Sequence, residues 1–252
     1  MDPPYRDDDA AGAAARRRKP WLAMLAAGSA LAFLLTQVPL GAVLPPRAPT
    51  GPEALHFFDH VALMRGQQNG PARPGHVRKW TGPVAVFLHD EAPRHAAEVS
   101  RILALLTRWT GVPFHLAKPA TWSRNRIHLH ILPHQVMVDR YGPEGALCMT
   151  STFGNGGVLH TAWMEVSARY VDCLEHEMMH AIGFDNHWAG PMATPAMPSV
   201  LAPRYSPARP RHYSRFDEMA IRLLYDPRLV AGTPRPEALG LARRILIKLV
   251  EA

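Results

Sequence analysis

The five residues His176-Glu177-Met178-Met179-His180 carry the strongest chemical signal in the chain. At i and i+4 on a helix two imidazoles lie one above the other, where both reach a single zinc ion at about 2.0 to 2.1 Å. Glu177 projects beside them as a general base. Zinc held in this way lowers the pKa of a bound water toward about 7, and a neighbouring glutamate can take the proton as a polarised carbonyl is attacked. The chain has 14 histidines, and random placement gives this pattern in roughly 3 of 100 such chains, fewer still with a glycine three residues on at Gly183. Two surface histidines on an ordinary helix are the competing reading.

The elements that must position these residues are legible from residue 83 onward. Val84–Leu88 reads as a buried strand, and Pro93–Trp109 repeats apolar residues at helical spacing, with Pro93 suited to its start and Gly111 to its end. Val112–Leu116, Ile127–Leu132, Leu147–Thr152 and Val158–Ser167 read as strands. The second alternates apolar residues with His128 and His130, and the last two are joined by a glycine-rich turn. Tyr170–Phe184 forms an amphipathic helix carrying Val171, Leu174, Met178 and Ile182 on the face opposite the metal, and it ends at Gly183. A Pro-rich loop leads to helices near Arg215–Tyr225 and Pro236–Val250. Strands and helices in this order imply an α+β domain over residues 80–252.

Upstream, residues 1–20 are rich in Asp, Ala and Arg and read as a disordered cytoplasmic tail. Residues 21–44, Trp21 to Leu44, carry no charge and follow Arg16-Arg17-Arg18-Lys19, which reads as a single-pass signal-anchor with the rest of the chain periplasmic; a cleaved signal peptide is the alternative. Residues 45–79 begin as a Pro-rich linker. Their remainder is open, with a short helix over Glu53–Arg65 as one solution. The net charge is +7, and the basic residues beyond residue 45 are scattered singly, without the aromatic-interleaved stripe that nucleic-acid grooves need, which argues against nucleic acid as a partner. Two cysteines, Cys148 and Cys173, are of a number and spacing that suit one bridge in an oxidising compartment, with two buried thiols as the alternative.

The stretch His176-Glu177-Met178-Met179-His180-Ala181-Ile182-Gly183-Phe184 resembles the opening of the extended metzincin zinc motif. A closer likeness is to a bacterial family known as domain of unknown function 2927, carried by Asp172-Cys173-Leu174-Glu175, Ile182-Gly183-Phe184-Asp185-Asn186, Pro198-Ser199-Val200-Leu201, and Phe216-Asp217-Glu218 through Leu223-Leu224-Tyr225-Asp226-Pro227-Arg228-Leu229. It covers about the last two thirds of the chain. These resemblances imply a zincin-like catalytic domain with a mixed sheet of about five strands, an active-site helix and C-terminal helices, preceded by one transmembrane helix. Where a metzincin has its third histidine this chain has Asn186, followed at once by His187. A one-residue shift recruiting His187 is the preferred third ligand, with Asp185 and Glu218 as the carboxylate alternatives.

The methionine turn expected beneath the metal matches Ser199-Val200-Leu201, which has leucine, with Met192 and Met197 nearby. Tyr205, His212 and Tyr213 follow it and can donate to an oxyanion, Tyr205 being preferred. The clan resemblance further implies that Leu147–Thr152 is the edge strand that pairs with an extended peptide, tied to the metal helix by a Cys148–Cys173 bridge. The expected function is therefore a Zn2+-dependent peptidase at the inner membrane acting on a peptide or protein substrate. A catalytically inactive zincin-fold module that grips peptides, and an amidase acting on cell-wall polymer, are its rivals.

Overall fold

A computed structural model describes residues 48–65, 73–118, 123–145, 147–189 and 193–250. The expected anchor, Trp21–Leu44, lies outside these residues, and no helix among the described residues is long and apolar enough to cross a membrane. The fold is mixed α+β, with a five-stranded mixed sheet and, among the described residues, six α-helices.

Residues 51–65, which include the end of the expected linker and the start of the segment that the sequence leaves open, begin the domain. Helix α1 (Gly51–Phe58) is capped by Thr50, which exchanges hydrogen bonds with Glu53, and it continues as one wide turn over Asp59–Leu63. Phe57, Phe58, Val61 and Leu63 are wholly buried, so these residues belong to the core rather than to a linker. A short antiparallel pair follows, β1 (Met64–Arg65) with β2 (Arg73–Pro74).

The main sheet has the order β4-β3-β5-β7-β6. Strands β3 (Val84–Asp90), β4 (Phe114–Leu116), β5 (Arg126–Leu132) and β7 (Val158–Ser167) run parallel, and β6 (Cys148–Asn155) runs antiparallel to β7 at the edge. All five were legible within a few residues. The β6–β7 hairpin closes on Gly156 and Gly157, both with positive φ (57° and 85°), as a two-residue turn matching the strand twist requires. Any side chain at Gly157 would meet the backbone of Gly232 and Val77.

Helix α2 (Ala96–Thr110) crosses from β3 to β4, preceded by a tight turn containing Pro93 and ended by Gly111 in the left-handed region, φ 70°. Helix α3 (His134–Gly145), between β5 and β6, was not anticipated. Its apolar residues are few, with Met137 fully buried beside Leu132, and Gly142 breaks its backbone with φ 76°. Helices α5 (Arg215–Tyr225) and α6 (Arg235–Val250) fall where expected, and α1 packs against both.

The helix bearing the motif departs most from expectation. A single 3-10 turn (Val171–Cys173) leads into α4 (Leu174–Ala181), which is only eight residues long and is packed against β6 and β7. Every residue from Leu174 to Met179 is buried, Glu175, His176 and Glu177 included. It is a largely buried helix that opens only onto a cleft, with His180 half-buried, rather than an amphipathic one with a wet outer face. Its last carbonyls would be unsatisfied in such a place. Trp80 Nε1 donates to Ala181 O (3.0 Å) and Tyr225 Oη to Ile182 O (2.9 Å), which closes that end. The chain then reverses at Gly183, φ 117°, where a Cβ would lie 2.1 Å from the carbonyl oxygen of Arg78, so only glycine fits.

Candidate metal centre

His176 and His180 face the same way from α4, and each has one ring nitrogen committed. His176 Nδ1 lies 2.6 Å from Val200 O and His180 Nδ1 lies 2.7 Å from Phe184 O. A carbonyl only accepts, so both Nδ1 atoms carry the proton and both Nε2 atoms are bare acceptors. These point at each other, 3.3 Å apart, and His187 Nε2 joins them 3.1 Å from that of His176. The three rings stand with centroids 4.9 Å apart in every pair. A proton on His187 could serve one of these lone pairs; a cation serves all three. Two ligands at a tetrahedral angle about zinc stand about 3.3 Å apart, so the donor type and spacing fit that ion. Burial, then the neighbouring imidazoles, pulls His176 well below its ordinary pKa, and burial pulls His187 down to about 4. Both are therefore neutral near pH 7, the form that binds metal.

His187 reaches this position because Asn186 turns the other way. The Asn186 side chain is buried and donates Nδ2 to His60 O (3.0 Å) and Met64 O (2.5 Å), at the end of the helical segment opened by α1. Backbone N–H groups of Asp185 and Asn186 both reach Val61 O. Trp188 then turns inward, with Nε1 on Met197 O and its ring against Phe57. Asn186 thus locks the loop to the N-terminal helix, and the next residue, His187, faces the other two histidines.

The two carboxylate alternatives are held elsewhere. Asp185 lines the cleft and pairs with Arg78 Nη1 at 2.5 Å, while Arg78 Nη2 reaches Thr152 Oγ1 at 2.8 Å. Glu218 pairs with Arg215 and Arg222 on its own helix. Neither belongs to the three-histidine group.

Ser199-Val200-Leu201, the segment expected beneath the metal, lies against His176. Val200, whose carbonyl holds His176, lies in a turn organised by the fully buried Asp217, which accepts from Ser199 Oγ (2.5 Å), Val200 N (3.2 Å), and Ser214 N and Oγ (2.8 Å each). Leu201 is wholly buried and Met197 nearly so; Met192 lies outside the described residues.

Glu177 is buried at the floor of an open cleft of about 310 Å³, and loss of solvent raises its carboxyl pKa. Glu177, His180 and His187 line one side, and Cys148, Met149, Thr150 and Thr152 of the edge strand β6 line the other. Thr150 Oγ1 donates to Glu177 O at 3.2 Å. A disulfide joins Cys148 to Cys173, one residue before α4, so the cleft wall is tied to the metal helix as the bridge reading expected.

Of the three oxyanion candidates, the structure brings none to the cleft lining. Tyr205 is 89% exposed. His212 Nδ1 lies 3.1 Å from Glu175, and Tyr213 donates its N–H to the same carboxylate with its ring against Trp109. Sequence reading missed Arg78 and Asp217, whose roles arise from pairings with residues elsewhere in the chain. His128 and His130, given no role, stack with Trp163, and His89 stacks on both of them, on the sheet face away from this site.

No curated protein and no solved structure matches the chain. Residues 53–243 match the family described as Protein of unknown function (DUF2927), and the chain belongs to that family.

Proposed function

We propose that this protein is a zinc-dependent peptidase with a zincin-like domain, anchored in the inner membrane by residues 21–44 and acting in the periplasm. The observation that carries the reading is the convergence of the His176, His180 and His187 Nε2 atoms beside a buried Glu177 that is not one of the three. A purely structural zinc site closes with four protein ligands, whereas three ligands and an open cleft leave the fourth position to water or substrate. The sheet with its antiparallel edge strand along the cleft also suits a zincin.

When bound, zinc supplies Lewis-acid chemistry, lowering the pKa of a water and polarising the scissile carbonyl. The residues of the chain do the rest. Strand β6 offers its free edge to an extended peptide, which sets the backbone across the cleft. Thr150 and Thr152 lie along that edge, and Arg78 steadies it by joining Thr152 to Asp185. Glu177 accepts the proton of the attacking water, and its raised pKa makes it a stronger base than an exposed glutamate. It then returns that proton to the leaving amine. Val200 and Phe184 carbonyls keep the two motif imidazoles in the metal-binding tautomer throughout.

The test is zinc content and peptide hydrolysis of the purified protein and its Glu177→Gln variant. The variant should keep one zinc per chain and lose about 10²- to 10⁴-fold in rate, because the base is not a ligand. A wild-type protein that holds zinc and cleaves nothing in a diverse peptide library would replace the enzyme with a peptide-binding module.

A further inference from the structure

The sheet face turned away from the metal carries a row of rings that stops one residue short of the edge. Phe87, His128, Trp163 and Ser151 stand opposite one another across β3, β5, β7 and β6. Phe87 stacks on His128 with centroids 5.4 Å apart and planes at 21°, and His128 stacks on Trp163 at 4.4 Å and 17°. His130, the other ring against Trp163, also comes from β5. The ring face that remains is the one toward β6, where the residue opposite is Ser151, too short to cover it. Trp163 is 44% exposed.

Ser151 forms a notch between two large side chains. Met149 and Phe153 flank it on the same face of β6 and are 38% and 57% exposed. Glu165, opposite Met149, is held by Arg140 and Tyr141 of α3, so the walls of the notch are apolar and aromatic. Cys148, Thr150 and Thr152 alternate with these residues and line the metal cleft, whose rim Met149 also reaches. One edge strand therefore presents the cleft on one face and the end of the ring stack on the other.

We propose that this notch is a subsite for one aromatic or large aliphatic residue of an extended peptide added to β6, next in sequence to a residue that enters the metal cleft. The proposal rests on the strand-addition part of the peptidase reading for the path of the peptide, and not on zinc or on cleavage. Successive side chains of an added strand fall on opposite faces, so a peptide held along the cleft sends every second side chain to this face. The one opposite Ser151 lies about 4.5 to 5.5 Å from it, with Met149 and Phe153 on diagonals of about 7 to 8 Å that an aromatic ring spans. A ring in that position lies over Ser151, covers the open face of Trp163 and extends the stack. His128 and Phe87 hold Trp163 from behind, so its orientation is set before the ligand arrives. A glycan on an exposed tryptophan needs polar groups around the ring to orient it, and this notch offers Met149 and Phe153 instead.

The experiment is equilibrium binding to the full-length Glu177→Gln protein, which retains the cleft without the base. The probes are acetylated, amidated octapeptides of Ala and Thr with one central Trp, Leu or Ala. The Trp peptide should bind about tenfold more tightly than the Ala peptide, with Leu between them. Ser151→Tyr fills the notch with a ring of the chain's own, and Trp163→Ala removes its wall; each should bring the three peptides to within about twofold of one another. Ser151 is exposed, so its variant is tolerated by the fold even where Trp163→Ala is not. Equal affinity for the three peptides with Ser151 and Trp163 intact overturns the proposal, and if the wild type cleaves all three the peptidase still stands. A preference that survives Ser151→Tyr also overturns it, as does binding of an N-acetylglucosamine oligomer in place of the peptides. No binding of the Trp peptide at about millimolar concentration removes strand addition and the subsite together. A Ser151-dependent preference in a protein whose wild type cleaves none of the peptides supports the subsite and removes the peptidase.

Discussion

His176 Nδ1 lies 2.6 Å from the carbonyl oxygen of Val200, and that carbonyl is fixed from behind by a carboxylate 17 residues further on, because Asp217 accepts the Val200 N–H. A residue on α5 thereby sets the tautomer and aim of His176, a proposed metal ligand on α4. Such partners of ligands raise ligand basicity and hold ring orientation. Asp217→Asn replaces one carboxylate oxygen by an NH2 group and removes the charge, so either Ser199 Oγ loses its acceptor or Val200 N and Ser214 N lose theirs. The turn should loosen and zinc affinity should fall about 10- to 100-fold, read by competition with a chromogenic chelator. Unchanged affinity would show that the turn holds its shape without the carboxylate.

Asp217 also gives the protein a signature in pH. Burial pushes its carboxyl up to about 6 from 3.8, against the pull of the four hydrogen bonds it accepts. The folded chain therefore takes up this proton before the unfolded chain does. Stability contributed by the group rises as the pH falls from about 6 to about 4, by about 3 kcal/mol, and is flat on either side. Chemical denaturation of wild type and Asp217→Asn at a series of pH values should show the difference between them changing only across that window. A constant difference from pH 4 to 7 would contradict the assignment.

The parts of the fold that recur at short spacing were legible in the sequence, and those made by distant pairings were not. The alternation in Arg126–Leu132 and the 3.6-residue repeat of α2 are local signals, and both elements appear where they imply. His176, Glu177 and His180 were readable because one helix carries all three. His187 was reached through the resemblance, but its reason, Asn186 bound to the carbonyls of His60 and Met64, lies more than 120 residues away in a segment whose own pattern decided nothing. Helix α3 was missed because few apolar residues mark it. The eight-residue α4 was drawn too long because Val171 and Ile182 keep the helical spacing beyond the backbone that is helical.

Reduction of the Cys148–Cys173 disulfide should act on stability and on the cleft together. The bridge closes a loop of 25 residues, which in the chain-entropy model constrains the unfolded state by about 3 kcal/mol, or roughly 6 to 12 °C in Tm for a domain of this size. Cys148 is also the first residue of the edge strand that lines the cleft. Calorimetry with and without reductant, on wild type and on a Cys148→Ser/Cys173→Ser double variant, checks the first effect. Reductant should shift the wild type and leave the double variant unmoved.

The last prediction separates the ligand from the residue that places it. Asn186→Leu keeps a similar volume but leaves the His60 and Met64 carbonyls without their donor, at a cost of about 2 to 5 kcal/mol for two buried acceptors. The loop then loses its hold on the N-terminal helix and His187 loses its fixed position. His187→Ala removes a metal bond instead, and leaves Asn186, Trp188 and their contacts in place. Without metal, Asn186→Leu should unfold at markedly lower denaturant than wild type while His187→Ala stays close to it. With metal, His187→Ala should lose most zinc affinity, whereas Asp185→Ala and Glu218→Ala should keep theirs, since Asp185 is engaged by Arg78 and Glu218 by Arg215 and Arg222. Denaturant midpoints and zinc titrations on the four variants measure both. Full zinc affinity in His187→Ala, with loss in Asp185→Ala, would move the third ligand to the carboxylate and leave Asn186 as a purely structural clamp.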